Sequence, residues 1–295
     1  MRILHLDSGR EMRGGQWQVL RLHQALIAAG HESLLLARED GPLLRMAEQR
    51  SLPCQPLRVL RVAHQSRRFD LVHAHDSRSH TWAALFSRVP LIVSRRVAFP
   101  IRTSAGSRWK YRRVSRFLAV SKFVAGELVA VGIDQNRIDI VYDGVEVPAN
   151  PSTGETILTP YTLDPAKGLA LAEEAAVLAG LPLVQSKNLE QDLPHCRALV
   201  YLTQSEGLGS GILLGMASGV AVIASRVGGI PELIEDGVTG ILVQNEANLV
   251  ATAMRRLDPA FCQKLGQAAR EAVVNRFTVS HMANATLAAY RKVLA

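Results

Sequence analysis

An acidic residue and three glycines lie together at the start of an apolar, helix-like run, SEGLGSGILLGM, from Ser205 to Met216. A short strand precedes this stretch, and the glycines allow the backbone to turn tightly into a helix that we expect to begin near Gly209. The amides and the positive dipole end of a helix N-terminus bind anions, so a diphosphate is the natural occupant of the turn Gly207–Gly211. Glu206, just before the turn, would accept hydrogen bonds from sugar hydroxyls. The local sequence equally allows glycines that serve only packing, with Glu206 as a helix-terminal charge.

Two series of alternating strands and helices would position this stretch. In the first half of the chain, apolar runs such as RILHLD, ESLLLAR and DLVHAHD alternate with amphipathic runs such as QWQVLRLHQALIAAG. A linker rich in proline, serine and glycine follows at Val145–Thr156, and TILTPY, RALVYLT and VAVIASR then resume the alternation. Parallel strands need crossover helices, so this rhythm predicts an α/β protein with two doubly wound parallel-sheet, Rossmann-like domains, residues 1–148 and 149–275. Ligands of such sheets bind at the carboxyl ends of the strands, which we expect to face a cleft between the domains.

Longer stretches of the chain carry a family resemblance. Ser205–Val243 resembles the C-terminal signature of family 4 glycosyltransferases, retaining enzymes of GT-B fold that use sugar nucleotides. GGQWQVLRLHQAL, from Gly14, is similar to the glycine-rich loop and first helix of that family, and RFTVSHMANATLAAYRKVL resembles its closing helices, which return to the first domain. The resemblance spans most of the chain. It implies GT-B architecture, with residues 276–295 as a helix that packs on the N-terminal domain.

The resemblance also implies roles for single residues. Glu206 matches the first acid of a paired-glutamate motif that contacts the donor sugar, and Lys167, in DPAKG, matches a lysine that binds the diphosphate. The turn that would cradle the phosphates is Gly207, Leu208, Gly209, Ser210 and Gly211. No D-x-D motif occurs, so we expect no metal and no cofactor. Lysine and backbone amides would stabilise the leaving group instead.

Several positions depart from the family pattern. The second acid, implied to bind the ribose, falls on Leu214, and the arginine that accompanies Lys167 falls on Thr162. The stretch between Gly180 and Arg197 has room for one strand and a loop, where relatives carry a β-α-β piece that forms part of the base pocket. These departures leave three alternatives: an unusual donor, a donor that is held differently, or a site that no longer binds a nucleotide.

The first domain offers a second set of polar residues. A histidine usual in the family falls near Arg95 and Arg96, and His73 and His75 end a buried strand, where alternation places both on one side. These two histidines would need a third ligand to hold a metal, and a contact to substrate hydroxyls or phosphate, or a structural role, are the alternatives. Candidate acceptor or phosphate residues in this domain are Gly14, Gly15, His75, Arg95 and Arg96.

A basic run without acids extends from Arg95 to Lys122 and includes Trp109, Tyr111 and Phe117. A solvated charged face is one interpretation, and the mixture of cations and aromatic rings also suits the headgroup layer of an anionic membrane. The candidate membrane patch is Arg108, Trp109, Lys110, Arg112, Arg113 and Arg116. No nucleic-acid-binding motif accompanies the run, so we expect no nucleic-acid partner.

Bulk composition agrees with a folded, anion-binding protein. The chain has 295 residues, 48% of them hydrophobic, and a formal charge of +8. The N-terminal MRILHLDSG has the pattern of a buried strand rather than a leader, and no apolar run reaches membrane-spanning length, so a cytoplasmic or peripheral inner-face location is expected. Three well-separated cysteines argue against a disulfide framework.

The sequence therefore predicts a metal-independent retaining glycosyltransferase. It would move a sugar from a nucleotide diphosphate-sugar to a lipid-linked or cell-envelope glycan held by the first domain. The alternative from another class is a catalytically silent relative that binds a glycan, a lipid or a protein. A non-hydrolysing sugar-nucleotide epimerase of similar two-domain shape is a third hypothesis, without motif support.

Overall fold

The computed structural model describes residues 1–99, 101 and 104–295, which form two compact units. Unit 1 comprises Met1–Gly144 together with Val279–Ala295, and unit 2 comprises Val145–Thr278. The division falls at Gly144, where the sequence pattern suggested residue 148. Each unit contains one parallel sheet flanked by helices, so the predicted α/β class with two doubly wound parallel sheets is confirmed.

The sheet of unit 1 has seven parallel strands in the order β3-β2-β1-β4-β5-β6-β7. Its central strands are buried along almost their whole length, as expected for a parallel sheet that is covered on both faces. The strands are β1 (Arg2–Asp7), β2 (Glu32–Ala37), β3 (Cys54–Pro56), β4 (Leu71–Ala74), β5 (Leu91–Arg95), β6 (Arg116–Ala119) and β7 (Ile138–Ile140).

The sheet of unit 2 has five parallel strands in the order β12-β11-β10-β8-β9. Its core joins apolar strand residues to the helices on both faces, with Val200 and Ile223 from the sheet packed near Val250 and Leu265. The strands are β8 (Thr156–Pro160), β9 (Val184–Ser186), β10 (Cys196–Tyr201), β11 (Ala221–Ser225) and β12 (Ile241–Val243).

The helices connect successive strands. Those of unit 1 are α1 (Gly14–Ala28), α2 (Pro42–Gln49), α3 (Val59–Gln65), α4 (Ser77–Phe86), α5 (Ala105–Arg112) and α6 (Lys122–Ala130). Those of unit 2 are α7 (Leu169–Ala179), α8 (Leu189–Asp192), α9 (Ser210–Ala217), α10 (Ala247–Met254) and α11 (Pro259–Arg276). The last helix, α12 (Val279–Leu294), belongs to unit 1, where Met282 and Tyr290 join the core around Ile3. Gly30 and Gly132 follow α1 and α6 with φ of 77° and 85°, the left-handed conformation that commonly ends a helix.

The stretch between Gly180 and Arg197 is as compact as its length suggested. It forms β9, the four-residue α8 and a 3₁₀ turn at Leu193–His195. The predicted strand is confirmed, and the remaining residues form two short helical turns rather than a loop. Within the described residues, no helix is long and apolar enough to cross a membrane.

Candidate active site

Lys167 and Glu206 form an ion pair in unit 2. The Nζ atom of Lys167 donates a hydrogen bond to Oε2 of Glu206 at 2.9 Å, and the amide of Gly207 donates to Oε1 at 3.2 Å. The lysine side chain is 39% exposed and the glutamate 18%, so both remain accessible from solvent. The structure therefore brings together the two residues for which the sequence predicted contacts with a sugar and a diphosphate.

Backbone contacts between two loops hold Lys167 beside Glu206. The carbonyl of Ala166 accepts hydrogen bonds from the amide of Gln204 at 2.8 Å and from Oγ1 of Thr203 at 3.3 Å. Gly168, directly after the lysine, has a φ of 67°, and a Cβ atom there would lie 2.9 Å from the Leu202 carbonyl oxygen. A side chain at position 168 would therefore force the two loops apart.

A glycine pair fixes the backbone of Glu206 from the other side. The amide of Gly229 donates to the Glu206 carbonyl at 3.1 Å. Gly228 has a φ of 55°, and a Cβ atom there would lie 2.0 Å from the same carbonyl oxygen. The turn after β11 can approach Glu206 this closely only because position 228 has no side chain.

Tyr201 is a site residue that the sequence analysis missed. Its hydroxyl donates to Oε2 of Glu206 at 3.1 Å, the same atom that Lys167 contacts. Burial and the nearby Glu206 carboxylate raise the pKa of Tyr201 well above its ordinary value, so the hydroxyl stays protonated and can donate. Gly211 makes room for the ring, because a Cβ atom at that position would lie 2.8 Å from Cε2 of Tyr201. A tyrosine that ends a buried strand carries no sequence signal for this role.

Helix α9 begins at Ser210, as the sequence predicted, and its N-cap residue, Gly209, has no side chain that could cap the helix. By contrast, Ser121 caps α6 and Asp258 caps α11 through side-chain oxygens. Gly209 supplies the turn, with a φ of 111°. Leu208 is buried, so this residue contributes backbone and core packing rather than a side chain at the turn. Backbone amides at the start of a helix can bind an anion.

Leu214 and Thr162 take the positions where the family pattern has a charge. Leu214 is partly exposed on the same face of α9 as Ser210, whereas its neighbours Leu213 and Gly215 are buried. Its side chain offers no hydrogen bond to a ligand. The hydroxyl of Thr162 accepts a hydrogen bond from the amide of Asp164, in the same loop, at 3.1 Å. It therefore shapes the loop that leads to Lys167 without adding a positive charge.

In unit 1, His75 and Arg96 are in contact beyond the carboxyl ends of β4 and β5. Arg96 donates through NH1 to Nδ1 of His75 at 3.2 Å and through Nε to Oδ1 of Asp143 at 3.0 Å. All three side chains are largely buried. Arg95 does not join them, because successive strand residues point to opposite faces. Its NH2 donates instead to the Phe99 carbonyl.

The histidine cluster is deeper than the sequence suggested. His73 and His75 lie on one side, as predicted, with ring centroids 3.9 Å apart. His73 does not face outward: it is fully buried and hydrogen-bonds Tyr290 at 2.6 Å and Ser94 at 2.8 Å. Its place in the core makes its role structural.

His5 is a third histidine in this cluster, and the sequence analysis did not single it out. Nitrogen atoms of His5, His73 and His75 lie within 4.8 Å of one another, close enough to share a metal ion. Burial lowers the pKa of all three well below its ordinary value. Because an arginine can only donate, Arg96 makes Nδ1 of His75 an acceptor, and Nε2 of His75 then donates to Nδ1 of His5 at 2.9 Å. The close contact between His5 and His75 is thus explained by hydrogen bonds that run from Arg96 through His75 to His5.

The loop after β1 places further polar groups at the same edge of the unit 1 sheet. Gly14 and Gly15 are the first residues of α1, and a Cβ atom at Gly15 would meet nothing within 4 Å, so packing does not require a glycine there. Asp7 accepts from the amide of Gly9 at 2.8 Å. Burial and the nearby Asp76 carboxylate raise the pKa of Asp7 to about 6.

The predicted membrane patch is smaller than the basic run suggested. Lys110 lies between helices, where Nζ donates to the carbonyl of Ser77 at 3.1 Å and to Oγ1 of Thr81 at 3.3 Å. Arg116 pairs with the half-buried Asp139, which also contacts Lys292. The charges of Lys110, on the inner face of α5, and of Arg116, at the start of β6, therefore have partners within unit 1. The exposed members are Arg108, Trp109, Arg112 and Arg113; residues 100, 102 and 103 of the run lie outside the described part of the chain.

Two family models match successive parts of the sequence. The model described as Glycosyltransferase Family 4 matches residues 12–147, and the model described as Glycosyl transferases group 1 matches residues 165–258. The chain is 35% identical to α-maltose-1-phosphate synthase of Mycobacterium tuberculosis over 150 residues, which are 46% of this chain and 38% of that protein. It is 28% identical to the Mycolicibacterium smegmatis protein of the same name over 309 residues, which cover 74% of this chain and 79% of the relative. The chain thus spans well under half the length of the first of these relatives.

Solved structures share the fold at low sequence identity. HepE from Anabaena, crystallised with UDP and glucose, has a TM-score of 0.85 at 16% identity, with 99% of this chain and all of HepE covered. A glycosyltransferase from Rickettsia africae has a TM-score of 0.84 at 19% identity, with 99% and 98% covered. The predicted GT-B fold class is therefore confirmed. Sequence models and fold agree, and the chain belongs to the family 4 glycosyltransferases.

Proposed function

We propose that this protein is a glycosyltransferase that uses a nucleotide diphosphate-sugar as donor. The observation that carries the proposal is the Lys167–Glu206 ion pair close to the N-terminus of α9, where the N-cap residue is a glycine. A cation and backbone amides suit a diphosphate, and a carboxylate next to them suits sugar hydroxyls. Two similar proteins support this donor class: HepE was crystallised with UDP-glucose, and one curated relative is named D-inositol 3-phosphate glycosyltransferase.

In the proposed reaction, the diphosphate binds the amides of the Gly207–Gly211 turn and draws Lys167 away from Glu206. The lysine then offsets the negative charge that develops on the leaving phosphate. Glu206, still held by Tyr201, orients the sugar. Retention of configuration follows the family: the acceptor attacks from the face of the leaving group, and the departing phosphate takes the proton. The chain has no D-x-D motif, so we propose catalysis without a metal.

The acceptor would bind unit 1, at the strand ends that carry His75 and Arg96. Several curated relatives are named for anionic small molecules, namely maltose 1-phosphate, inositol 3-phosphate and malate. For this chain we propose a lipid-linked or cell-envelope glycan, because the exposed basic helix α5 suits a peripheral position on the inner face of an anionic membrane.

Transfer or donor hydrolysis across a panel of nucleotide sugars tests the proposal. We expect activity with at least one donor and a loss of at least 100-fold in Glu206→Ala and in Lys167→Ala, typical of removing a group that stabilises charge in the transition state. Arg67→Gln, an exposed cation of unit 1, is the matched control for the lost charge. Full activity in both site variants would refute the assignment.

A catalytically silent binding protein is the second candidate, and Leu214 is the observation that favours it. An apolar side chain on the exposed face of α9 removes a predicted ribose contact. Calorimetry with UDP, GDP and ADP separates the two candidates, since a silent scaffold need bind none of them. Micromolar binding of one nucleotide that Lys167→Ala abolishes would support the enzyme.

A further inference from the structure

Helix α5 has two faces of different character. On its inner face, Lys110 contacts α4, and the ring of Tyr111 stacks on Phe117 with centroids 5.5 Å apart. On its outer face, Arg108 and Arg112 are exposed, and the Trp109 side chain between them is 44% exposed. The helix is thus anchored through one side and presents cations and an indole ring on the other.

A cavity of about 170 Å³ opens beside Arg108 and Arg112, and Ser107 and Tyr111 of the same helix also line it. Arg108 and Arg112 form one wall, and Arg137, from the turn before β7, forms another. Arg137 is fixed in place, because its NH2 group donates to the carbonyls of Val114 and Tyr111. Apolar side chains, including Ile133, complete the walls, and none of the described lining residues is acidic.

The three arginines give this small cavity a positively charged lining, which suits an anion. Arg108 and Arg112 are one helical turn apart, and like charges at that spacing repel each other. Guanidinium groups bind phosphate oxygens in pairs of hydrogen bonds. Trp109 lies on the same helix outside the cavity lining, and an exposed indole ring favours the headgroup level of a membrane. We propose that this cavity, the arginine pocket, holds the phosphate of an anionic phospholipid headgroup and docks unit 1 on the membrane. The inference rests on the membrane association proposed above and names the site that would carry it.

Adjacent arginines provide a matched test. Arg112 lines the pocket, whereas Arg113 follows it in the chain, is also exposed and does not line it. The experiment measures the affinity for vesicles that contain 30% phosphatidylglycerol and for pure phosphatidylcholine vesicles. It compares wild type, Arg112→Gln and Arg113→Gln. We expect wild type to bind only the anionic vesicles. Arg112→Gln should lose at least tenfold in affinity, as expected for hydrogen bonds to a charged group. Arg113→Gln should lose about fivefold or less, the effect of one cation near a charged surface.

Other results would refute either the arginine pocket or membrane docking as a whole. Equal losses in the two variants would show diffuse attraction and refute the pocket. Absence of wild-type binding to anionic vesicles would refute membrane docking itself. Calorimetry with inorganic phosphate, without vesicles, is the remaining arm: tight binding that requires Arg112 would assign the pocket to a soluble anion. Donor hydrolysis by wild type, measured without lipid, tests sugar transfer separately, and circular dichroism of each variant checks folding.

Discussion

The side chain of Lys167 bonds Glu206 at 2.9 Å, so each residue satisfies the charge of the other. A bound diphosphate would compete with Glu206 for the lysine. Binding of the diphosphate to Lys167 would therefore release Glu206, which could then bind the sugar.

The two sides of this ion pair should respond differently to neutralisation. Glu206→Gln removes the carboxylate that competes for Lys167, so we expect UDP to bind at least as tightly as to wild type, although transfer is lost. Lys167→Met should weaken UDP binding at least tenfold, because a charge-assisted hydrogen bond is lost. Calorimetry with UDP measures both. Equal weakening in the two variants would contradict the competition and indicate a shared structural defect.

Tyr201→Phe should lower the turnover number about tenfold with little change in the donor KM. The hydroxyl donates to Oε2 of Glu206, and hydrogen bonds to charged groups contribute about 1.5–3 kcal/mol. The ring and its contact with Gly211 remain, so the melting temperature should not change. Steady-state kinetics on the variant supplies the measurement. Tyr161→Phe, which removes an exposed tyrosine hydroxyl of unit 2, is the control; a similar fall in that variant would argue against a specific role for Tyr201.

The strands were predictable because burial on both faces of a parallel sheet leaves a continuous apolar run in the sequence. The strand runs quoted for β1, β8 and β10 are confirmed, as is the start of α9. The close approaches were not predictable. Gly228 packs on the Glu206 carbonyl, and Gly168 packs on Leu202. Each contact joins segments that are distant in the chain, so neither leaves a pattern in the local sequence.

The extent of the exposed basic patch was not predictable from the number of cations in the run, for a related reason. A basic run shows which cations are present, and their ion partners lie elsewhere in the sequence. Arg116 pairs with Asp139, and Lys110 contacts Ser77, so neither belongs to the exposed patch. His5 was overlooked similarly, because a histidine inside the first strand gains meaning only from its neighbour His75 on β4.

Leu214→Glu should strengthen UDP binding if α9 faces the ribose. The side chain is partly exposed on the face of α9 that carries Ser210, and a carboxylate there could accept ribose hydroxyl hydrogen bonds. We expect a gain of several-fold in UDP affinity with no gain for inorganic pyrophosphate, which has no ribose. Leu214→Met is the isosteric control. A weaker affinity for both ligands in the glutamate variant would instead indicate charge repulsion near the phosphates.

Unit 1 should lose stability as the pH falls below about 6.5. Burial lowers the pKa of His23 to about 4 and of His80 to about 3, and it lowers those of His5, His73 and His75 well below the ordinary value. Below pH 6.5 the unfolded chain therefore binds protons that the folded chain does not. Above pH 6.5 such a histidine is neutral in both states and does not change the free energy of unfolding. Below that pH, each such histidine lowers the free energy of unfolding by about 1.4 kcal/mol per pH unit.

Asp7 acts in the opposite direction, and tryptophan fluorescence can measure the balance. With its pKa raised to about 6, Asp7 binds a proton in the folded state first and stabilises unit 1 as the pH falls from 6 toward 4. One carboxyl cannot offset five histidines, so the unfolding midpoint in urea should fall from pH 7.5 to pH 5. All three tryptophans, Trp17, Trp82 and Trp109, belong to unit 1, so their emission follows this unit alone. An unchanged midpoint would mean that the histidines are solvated, whereas Asp7→Asn should make the fall steeper below pH 6.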